Sequence, residues 1–592
     1  MTPLQQLLAA LPSSLHAQTS TRYAAQEGVL LDRLSALYGA RPGFDAWLGA
    51  LMEAVGQLIA ARPAELLALD AARAADPAWF TSARMLGYSA YVGQFGGTLR
   101  GVAGRIDHLR ELGVSYLHLL PFLRARAGEN DGGFAVASFD EVDPAYGGEA
   151  DLLALTGALR RAGISLCSDL ILNHVADDHA WALGAAAGDP DLRAFFHVFP
   201  DRTLPDRFEQ SLGQVFPEAA PGNFSWSDAL QGWVWTTFYP FQWDLNYANP
   251  AVFAAMVQAL LRLANRGIEV FRLDSTAFLW KREGSTCMNQ PEAHQILQAM
   301  RAIVEIAAPG VLLKAEAIVP TADLPAYFGA GAARECHLAY HSTLMAAGWA
   351  ALAEQDTSLL RDVVRGTPAL PPQASWLTYV RCHDDIGWSV LRGEAPDPAR
   401  RAAIAAFFHG DGFGAGVPFQ GGVQTNGTAA SLAGMERADP GDGIRRQLLL
   451  HGLALSFGGL PVLYMGDEIG MLNDHAYLND PERAHDTRWV QRAAFDEARL
   501  ARRFEPGSIY PALRALAARR AATPALAADQ PCALLDAPPA VLALLRGGRF
   551  LNLSNFSGQA VALSLSAIGA GTWPGQPDRL TLEPWQMLWL DR

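Results

Sequence analysis

The stretch IEVFRLDSTAF, residues 268–278, decides the fold prediction for this chain. Its apolar run ends with Arg272 and Asp274, which face the same side of a predicted strand because side chains alternate along a strand. Similar apolar runs precede polar residues at three more places: Asp169, Glu316 and His383. Amphipathic stretches separate these runs, and strands that alternate with helices predict parallel βα units. In a (β/α)8 barrel the C-terminal ends of the strands form the rim that holds the active site.

Around these strands the chain divides into segments of different composition. Apolar residues at three- and four-residue spacing predict helices near the N-terminus, and short alternating runs predict antiparallel strands near the C-terminus. Two long stretches rich in Pro, Gly or aromatic residues exceed ordinary βα loops, so we expect loop domains there. The predicted α/β architecture is an all-helical N-terminal domain (1–80), a (β/α)8 TIM barrel (81–174, 251–385 and 446–522), two loop-domain insertions (175–250 and 386–445) and a C-terminal antiparallel β-sandwich domain (523–592).

The composition argues against several kinds of partner. The 592 residues include 46 Lys plus Arg and 60 Asp plus Glu, a net charge of −14. This acidic balance argues against nucleic acid and anionic membranes as partners. The five scattered cysteines form no CxxC pair, so neither a disulfide scaffold nor a zinc site is predicted. No basic residue precedes the first apolar run, so no secretory signal is predicted and we expect a cytoplasmic protein.

Four polar clusters end predicted strands in order: Asp169 to His174, Arg272 to Asp274, Lys314 to Glu316, and His383 to Asp385. Their forms (DxxxNH, RxD, a strand-end Glu and HD) resemble the α-amylase family of retaining glycoside hydrolases over about residues 85–490. Four further strings are similar to the amylosucrase group of that family: DGGFAV (131–136), QWDLNY (242–247), RCHDDIGW (381–388) and DTRW (486–489). The resemblance implies action on sucrose.

Retaining cleavage of a glycoside needs a nucleophilic carboxylate and a protonated carboxyl about 5 Å apart. Asp274 is the predicted nucleophile, and the cation of Arg272 is expected to keep it ionised. Glu316 follows an apolar strand, so burial should raise its pKa and suit it to the acid/base role. The resemblance assigns Asp384 to holding sugar hydroxyls and favouring the oxocarbenium-like transition state. Protons and a carboxylate suffice, so we predict no cofactor, and the lack of a second acidic cluster predicts no metal.

The resemblance also implies which residues surround the glucosyl unit. Asp131 and Arg488 match an ion pair that closes the far end of the pocket, so that only one terminal glucosyl unit enters. Phe134 replaces the family's usual Tyr and keeps a face for stacking on the sugar. His174 and His383 are expected to donate hydrogen bonds to sugar hydroxyls. Three aromatic residues either line the mouth or pack in the core: Tyr239, Phe241 and Trp243.

On the acceptor side the chain departs from the amylosucrase pattern. Ala415 and Gln424 stand where that group carries arginines, and the second of these arginines pairs with the position of Asp385. Fewer acceptor contacts favour water or small acceptors over a growing chain. We therefore expect glucose to pass to water, to small hydroxyl compounds or to fructose, and only poorly to a long α-1,4-glucan.

Two other functions stay open at this point. The first is a glycosidase of different specificity, such as an α-1,4- or α-1,6-glucosidase acting on maltose or isomaltose, or a trehalose-forming isomerase. The second is a non-catalytic amylase-like binding module, against which the intact set of Asp274, Glu316 and Asp384 argues. Asp169 and Asn173 are expected to serve as scaffold. The N-terminal helices are a candidate homodimer surface, which is compatible with catalysis.

Overall fold

The computed structural model describes residues 1–317, 319–437 and 439–592. Eight parallel strands close into a barrel at its centre. They are β1 (Gly87–Ala90), β2 (Tyr116–Leu119), β3 (Ser165–Ile171), β4 (Val270–Asp274), β5 (Leu312–Ala315), β6 (Leu338–Tyr340), β7 (Ser375–Tyr379) and β8 (Leu460–Tyr464). Each strand pairs with the next along the chain, and β8 pairs with β1. The predicted (β/α)8 barrel is therefore confirmed.

Helices cover the outside of the barrel, as burial of a parallel sheet on both faces requires. The principal ones are Ile106–Leu112, Glu149–Arg161, Pro250–Asn265, Pro291–Ala307, Ser342–Glu354, Ser358–Gly366, Pro440–Phe457 and Tyr510–Ala521. The Asn249 side chain accepts a hydrogen bond from the N–H of Ala251, and Pro250 occupies the first turn, so the helix begins there. Among the described residues between β5 and β6 there is a 3-10 helix, Leu324–Phe328, and no α-helix.

Four helices precede the barrel: α1 (Pro3–Ala9), α2 (Ser13–Tyr38), α3 (Phe44–Ala60) and α4 (Ala64–Ala75). Helix α2 packs along Pro291–Ala307, and α3 packs against Pro250–Asn265. The hydroxyl of Tyr38 donates to the carbonyl of Tyr247 at 3.0 Å. No single described helix is long and apolar enough to cross a membrane; only the pair α3 and α4 meets that test together, with a bend of 103° between them.

The segments outside the barrel are small mixed units. The first predicted insertion contains a three-stranded sheet of Val198–Phe199, Gly232–Trp235 and Phe224–Ser227. The second contains Ile386–Gly387, Gln424–Asn426 and Val417–Phe419. The C-terminal segment has a four-stranded antiparallel sheet (Cys532–Leu534, Val541–Arg546, Phe550–Asn555, Met587–Asp591) and a two-stranded sheet (Val561–Ser564, Arg579–Leu582), with an apolar core between them. Helix Pro440–Phe457 crosses residue 445, and the domain limits remain a proposal.

Candidate active site

One cavity of about 230 Å³ lies at the C-terminal ends of the barrel strands. The ten residues predicted for catalysis or for binding the substrate all line it: Asp131, Phe134, His174, Arg272, Asp274, Glu316, His383, Asp384, Asp385 and Arg488. The first and the last of them, Asp131 and Arg488, are 357 residues apart along the chain. The parallel strands bring them together because the C-terminal ends of all eight meet at one rim.

Arg272 is the centre of the charge network. Its Nη1 donates to Oδ1 of Asp274 at 2.9 Å and also to Asp169, and its Nη2 donates to Glu316. Asp169 in turn accepts a hydrogen bond from Nε2 of His118 at 3.0 Å if that nitrogen carries the proton. One buried guanidinium therefore contacts both predicted catalytic carboxyls, and its hydrogen bond to Asp169 fixes its orientation.

Ser275 holds the same two carboxyls from the other side. Its hydroxyl donates to Oδ2 of Asp274 at 2.8 Å, and its N–H donates to Oε2 of Glu316 at 3.1 Å. Its φ of +54° lies in the left-handed region, which is costly for a residue with a side chain. This turn directly after β4 directs two donors at the two acids. Nothing in the sequence pattern pointed to Ser275.

Burial raises the pKa of both catalytic candidates, but not equally. The pKa of Glu316 is raised well above its ordinary value, because burial and the charge of Asp274 outweigh the opposing Arg272. The pKa of Asp274 is also raised by burial, although Arg272 and the hydrogen bonds from Glu316 and Ser275 oppose the change. The cation of Arg272 was expected to keep Asp274 ionised, and it does lower the Asp274 pKa, but Asp169 and Glu316 share the guanidinium and burial outweighs its effect. The first proton of the pair therefore belongs on Glu316.

Asp384 has the opposite electrostatic environment. Nη2 of Arg492 lies 3.3 Å from its Oδ1, Nη1 of Arg488 lies 3.6 Å from the same atom, and Nε2 of His383 lies 3.1 Å from its Oδ2. The charges of Arg488 and Arg492 outweigh burial and hold the pKa of Asp384 below its ordinary value. Asp384 is therefore ionised at neutral pH. Burial lowers the pKa of His383, so its ring is neutral and available for hydrogen bonding.

Asp131 and Arg488 form an ion pair at the deep end of the cavity. Nη2 of Arg488 lies 2.6 Å from Oδ1 of Asp131, and its Nε donates to Asp486 at 2.9 Å. Asp131 has φ +55° and begins a turn that needs Gly132, since a Cβ there would lie 2.9 Å from Nη1 of Arg492. The pair divides this cavity from a second one of about 160 Å³, which Asp131 also lines.

The aromatic residues near the cavity have different positions. Phe134 stacks on His383, with ring centroids 5.4 Å apart and planes 10° apart. Both ring nitrogens of His174 are buried without a hydrogen-bond partner among the described residues, and burial lowers its pKa to about 4. Tyr239 and Phe241 stack on each other and line the second cavity. Trp243 lines neither cavity and packs in the core against Phe196, so the core alternative holds for it.

The outer part of the cavity is less completely paired. Asp385 and Gln424 both line it, and no described cation lies within ion-pair distance of Asp385. Burial and the neighbouring Asp384 raise the pKa of Asp385 to about 6. Ala415 does not line the cavity; its carbonyl accepts a hydrogen bond from Asn473.

The remaining polar residues of the motifs act as supports. Nδ2 of Asn173 donates to Asp244 at 2.9 Å, and Asp244 pairs with Lys281 at 2.5 Å, as befits scaffold. Arg492 was not predicted from the sequence, although it follows Arg488 by four residues. Among the described residues, no three His, Cys, Asp or Glu side chains converge in a way that could hold a metal ion.

Comparisons with known proteins bear on this geometry. A family model described as the α-amylase catalytic domain matches residues 69–387. Trehalose synthase/amylase TreS of Mycobacterium tuberculosis is 32% identical over 464 residues, which cover 74% of this chain and 71% of that protein. The chain belongs to the α-amylase family. Glucosylglycerate phosphorylase of Allomeiothermus silvanus is 31% identical over 497 residues, covering 80% of this chain and 84% of that protein.

Solved structures agree on the fold. Trehalulose synthase MutB of Pseudomonas mesoacidophila superimposes with a TM-score of 0.65 at 19% identity, covering 87% of this chain and 99% of that chain. Sucrose 6F-phosphate phosphorylase of Thermoanaerobacter thermosaccharolyticum gives 0.65 at 16% identity, covering 80% and 93%. The curated relatives support an α-amylase-family enzyme that acts on glucosides. They do not single out the amylosucrase group.

Proposed function

We propose that the protein is a retaining α-glucosyl enzyme that cleaves sucrose. The pair of carboxyls, Asp274 and Glu316, joined through Arg272 and Ser275 beside a cavity closed at its far end, supports the retaining chemistry. The choice of sucrose rests on the strings that resemble the amylosucrase group. An inverting enzyme needs carboxyls roughly 6.5–9.5 Å apart to admit a water between them, whereas two acids that share donors this closely favour a covalent intermediate.

The proposed reaction is a double displacement. Sucrose enters with its glucosyl unit deepest, against Asp131 and Arg488. Glu316 protonates the fructosyl oxygen while Asp274 attacks the anomeric carbon, and fructose leaves. Glu316 then takes a proton from water or from an acceptor hydroxyl, which displaces Asp274 with net retention. The different proton affinities of the two acids support this division of roles.

Asp384 and the neutral imidazoles would hold the sugar. An ionised Asp384 accepts hydrogen bonds from hydroxyls and stabilises the positive charge that develops at the anomeric carbon. His174 has both ring nitrogens free among the described residues, so it gains hydrogen bonds when a sugar binds. The Phe134 ring offers a face at the wall of the cavity.

The acceptor side supports water and small molecules as glucose acceptors. Gln424 and Asp385 line the cavity without the ion pair that an arginine would supply. We propose that free glucose and small glucosides or sucrose isomers exceed α-1,4-glucan among the products. Cytoplasmic location and a homodimer through the N-terminal helices remain proposals.

Isomerisation of maltose to trehalose is the second candidate, since trehalose synthases are among the relatives that are 32% identical. Incubation of the purified protein with sucrose, maltose, isomaltose and trehalose in separate reactions distinguishes the candidates. We expect fructose from sucrose to appear fastest. Rapid interconversion of maltose and trehalose beside negligible fructose would replace sucrose as the donor, and no turnover of any sugar would indicate a binding module.

A further inference from the structure

A buried lysine lies inside the barrel, two residues before Glu316. Lys314 belongs to β5, and only 1% of it is exposed to solvent. The proposed reaction gives it no role. Its Nζ donates to the hydroxyls of Tyr116 and Tyr340, both at 2.9 Å, and lies 3.4 Å from Nδ1 of His118. All three ammonium protons therefore have partners, and none of these partners is a carboxylate.

The contact with His118 determines which nitrogen of its imidazole carries the proton. Burial and the charge of Lys314 lower the pKa of His118 to about 4, so the ring is neutral at neutral pH. Because an ammonium group only donates, Nδ1 accepts and the proton is on Nε2. Nε2 lies 3.0 Å from Oδ2 of Asp169. His118 therefore connects the Lys314 ammonium to the Asp169 carboxylate without carrying a charge itself.

Strand register places two cations side by side in the barrel. Lys314 in β5 pairs with Arg272 in β4, and Arg272 pairs on its other side with Asp169 in β3. Residues in register on neighbouring strands point to the same side of the sheet. Burial and Arg272 lower the pKa of Lys314, and Asp169 opposes them. Three other titratable side chains near Lys314 are neutral, since burial raises their pKa: Tyr116, Tyr340 and Cys167.

The buried charges of this group balance only when Lys314 is counted. Arg272 and Lys314 supply two positive charges, and ionised Asp169 and Asp274 supply two negative charges. Glu316 holds the first proton of the acid pair and is neutral. Without the lysine the group would carry a net negative charge inside the barrel. Burial of an unbalanced charge is costly and favours the uptake of a proton.

Asp274 is the carboxyl that would take up this proton. Burial raises the pKa of Asp169, but the neighbouring cations and His118 outweigh burial and lower it, whereas the pKa of Asp274 stays raised. Asp384 does not enter the balance, because two other arginines contact it. A protonated Asp274 cannot attack the anomeric carbon. The state of the nucleophile therefore depends on the lysine.

We propose that Lys314 is a positioning residue of the reaction proposed above: its ammonium supplies the charge that lets Asp274 be an anion while Glu316 keeps its proton. Lys314 does not line the active cavity, so it acts through Arg272 and Asp169 and not on the sugar. The inference rests on the proposed double displacement but not on the choice of sucrose, since every retaining cleavage needs the same two protonation states.

The test is the pH profile of kcat/KM for Lys314→Met, measured with whichever glucoside the wild type cleaves fastest. The methionine is of similar length and has no charge. The acid limb of the profile reports the ionisation of the nucleophile in the free enzyme. We expect this limb to move to higher pH by about one unit, so that kcat/KM below the limb falls about tenfold. Circular dichroism checks that the variant is folded.

Tyr116→Phe is the matched control. It removes one hydrogen bond from the same ammonium and keeps its charge, and Tyr116 does not line the active cavity. We expect its acid limb to coincide with that of the wild type. An unchanged limb in Lys314→Met, or an equal shift in Tyr116→Phe, would overturn the proposal. Cleavage of maltose in place of sucrose would overturn the choice of donor, and the pH profile on maltose would still decide the role of Lys314.

A second measurement does not depend on the folding of the lysine variant. Nitrogen-15 NMR of the histidine rings in the wild type, with His118 assigned by its loss in His118→Gln, reports the protonation of each ring nitrogen. We expect a neutral His118 ring with its proton on Nε2 at pH values well above its pKa of about 4. A charged ring would supply the positive charge in place of Lys314, and a proton on Nδ1 would exclude the donation from the ammonium. Either result would overturn the proposal.

Discussion

The two halves of the active cavity differ in how completely their charges are paired. In the deep half, Arg272, Arg488 and Arg492 contact every carboxylate that surrounds the proposed glucosyl unit. In the outer half, Asp385 has no ion-pair partner among the described residues and faces the neutral Gln424. A fully paired deep half holds one sugar in one orientation, whereas the outer half leaves the choice of acceptor open.

The largest expected effect is loss of the nucleophile. Asp274→Asn should reduce fructose release from sucrose by about 10³-fold or more, because no covalent intermediate can form. Circular dichroism checks that the fold is retained. Asp385→Asn is the matched control in the outer half and should keep most of the rate. Comparable losses in both variants would erase the proposed difference between the halves.

Loss of the acid should depend on the leaving group. Glu316→Gln should slow sucrose cleavage by roughly 10²–10⁴-fold, since fructose departs only after protonation. A glucosyl fluoride needs little protonation, so its first step should be impaired far less. Measuring the release of fructose and of fluoride by the same enzyme preparation provides the comparison, and equal losses would remove Glu316 from the acid role.

Opening the deep end should affect binding and stability together. Arg488→Gln leaves Asp131 without its buried partner and Asp486 with only Arg492, 3.8 Å away, and loss of a buried partner typically costs about 3–5 kcal/mol. We expect a lower Tm and a kcat/KM for sucrose reduced by about 100-fold. Arg483→Gln, nearby but about half exposed, is the control and should change both quantities little. A normal kcat/KM in Arg488→Gln would show that the ion pair does not position the donor.

Adding a cation to the outer half of the cavity should favour transfer of glucose to sugar acceptors over hydrolysis. Gln424→Arg is expected to pair with Asp385 and to raise the ratio of transfer products to free glucose about two- to fivefold, the effect of one modest contact. Ala415→Arg should do less, because Ala415 does not line the cavity. Chromatography of the products from sucrose alone measures the ratio. An unchanged ratio in Gln424→Arg would mean that the missing cation is not the cause of the proposed hydrolytic preference.

The smallest expected effect is on the way in which the Tm depends on pH. The pKa of Asp385 is raised from 3.8 to about 6 in the folded protein, so its contribution is most favourable below pH 3.8 and is lost as pH rises through 6. Asp385→Asn removes this loss. The Tm of the variant minus that of the wild type should therefore increase by about 2 °C between pH 4 and pH 7. A Tm difference that does not change with pH would mean that the pKa of Asp385 is not raised in the folded protein.

Much of the site could be predicted because of one property of the barrel. A polar residue directly after an apolar strand lies on the C-terminal rim wherever that strand sits, so local sequence was enough to nominate Asp274, Glu316 and Asp384. The ion pair of Asp131 with Arg488 was predicted from the family resemblance, and both residues line the cavity. The aromatic residues were less predictable, since the same residue types line cavities and fill cores.

The sequence by itself determined the alternation of strands and helices, the order of the strand-end acids and the acidic balance of the chain, because these depend on local pattern and composition. Only the tertiary structure decided that three carboxylates share Arg272 and that Ser275 supports two of them. The physical reason is that burial and charge pairing, which set proton affinities, arise between residues brought together from distant parts of the chain.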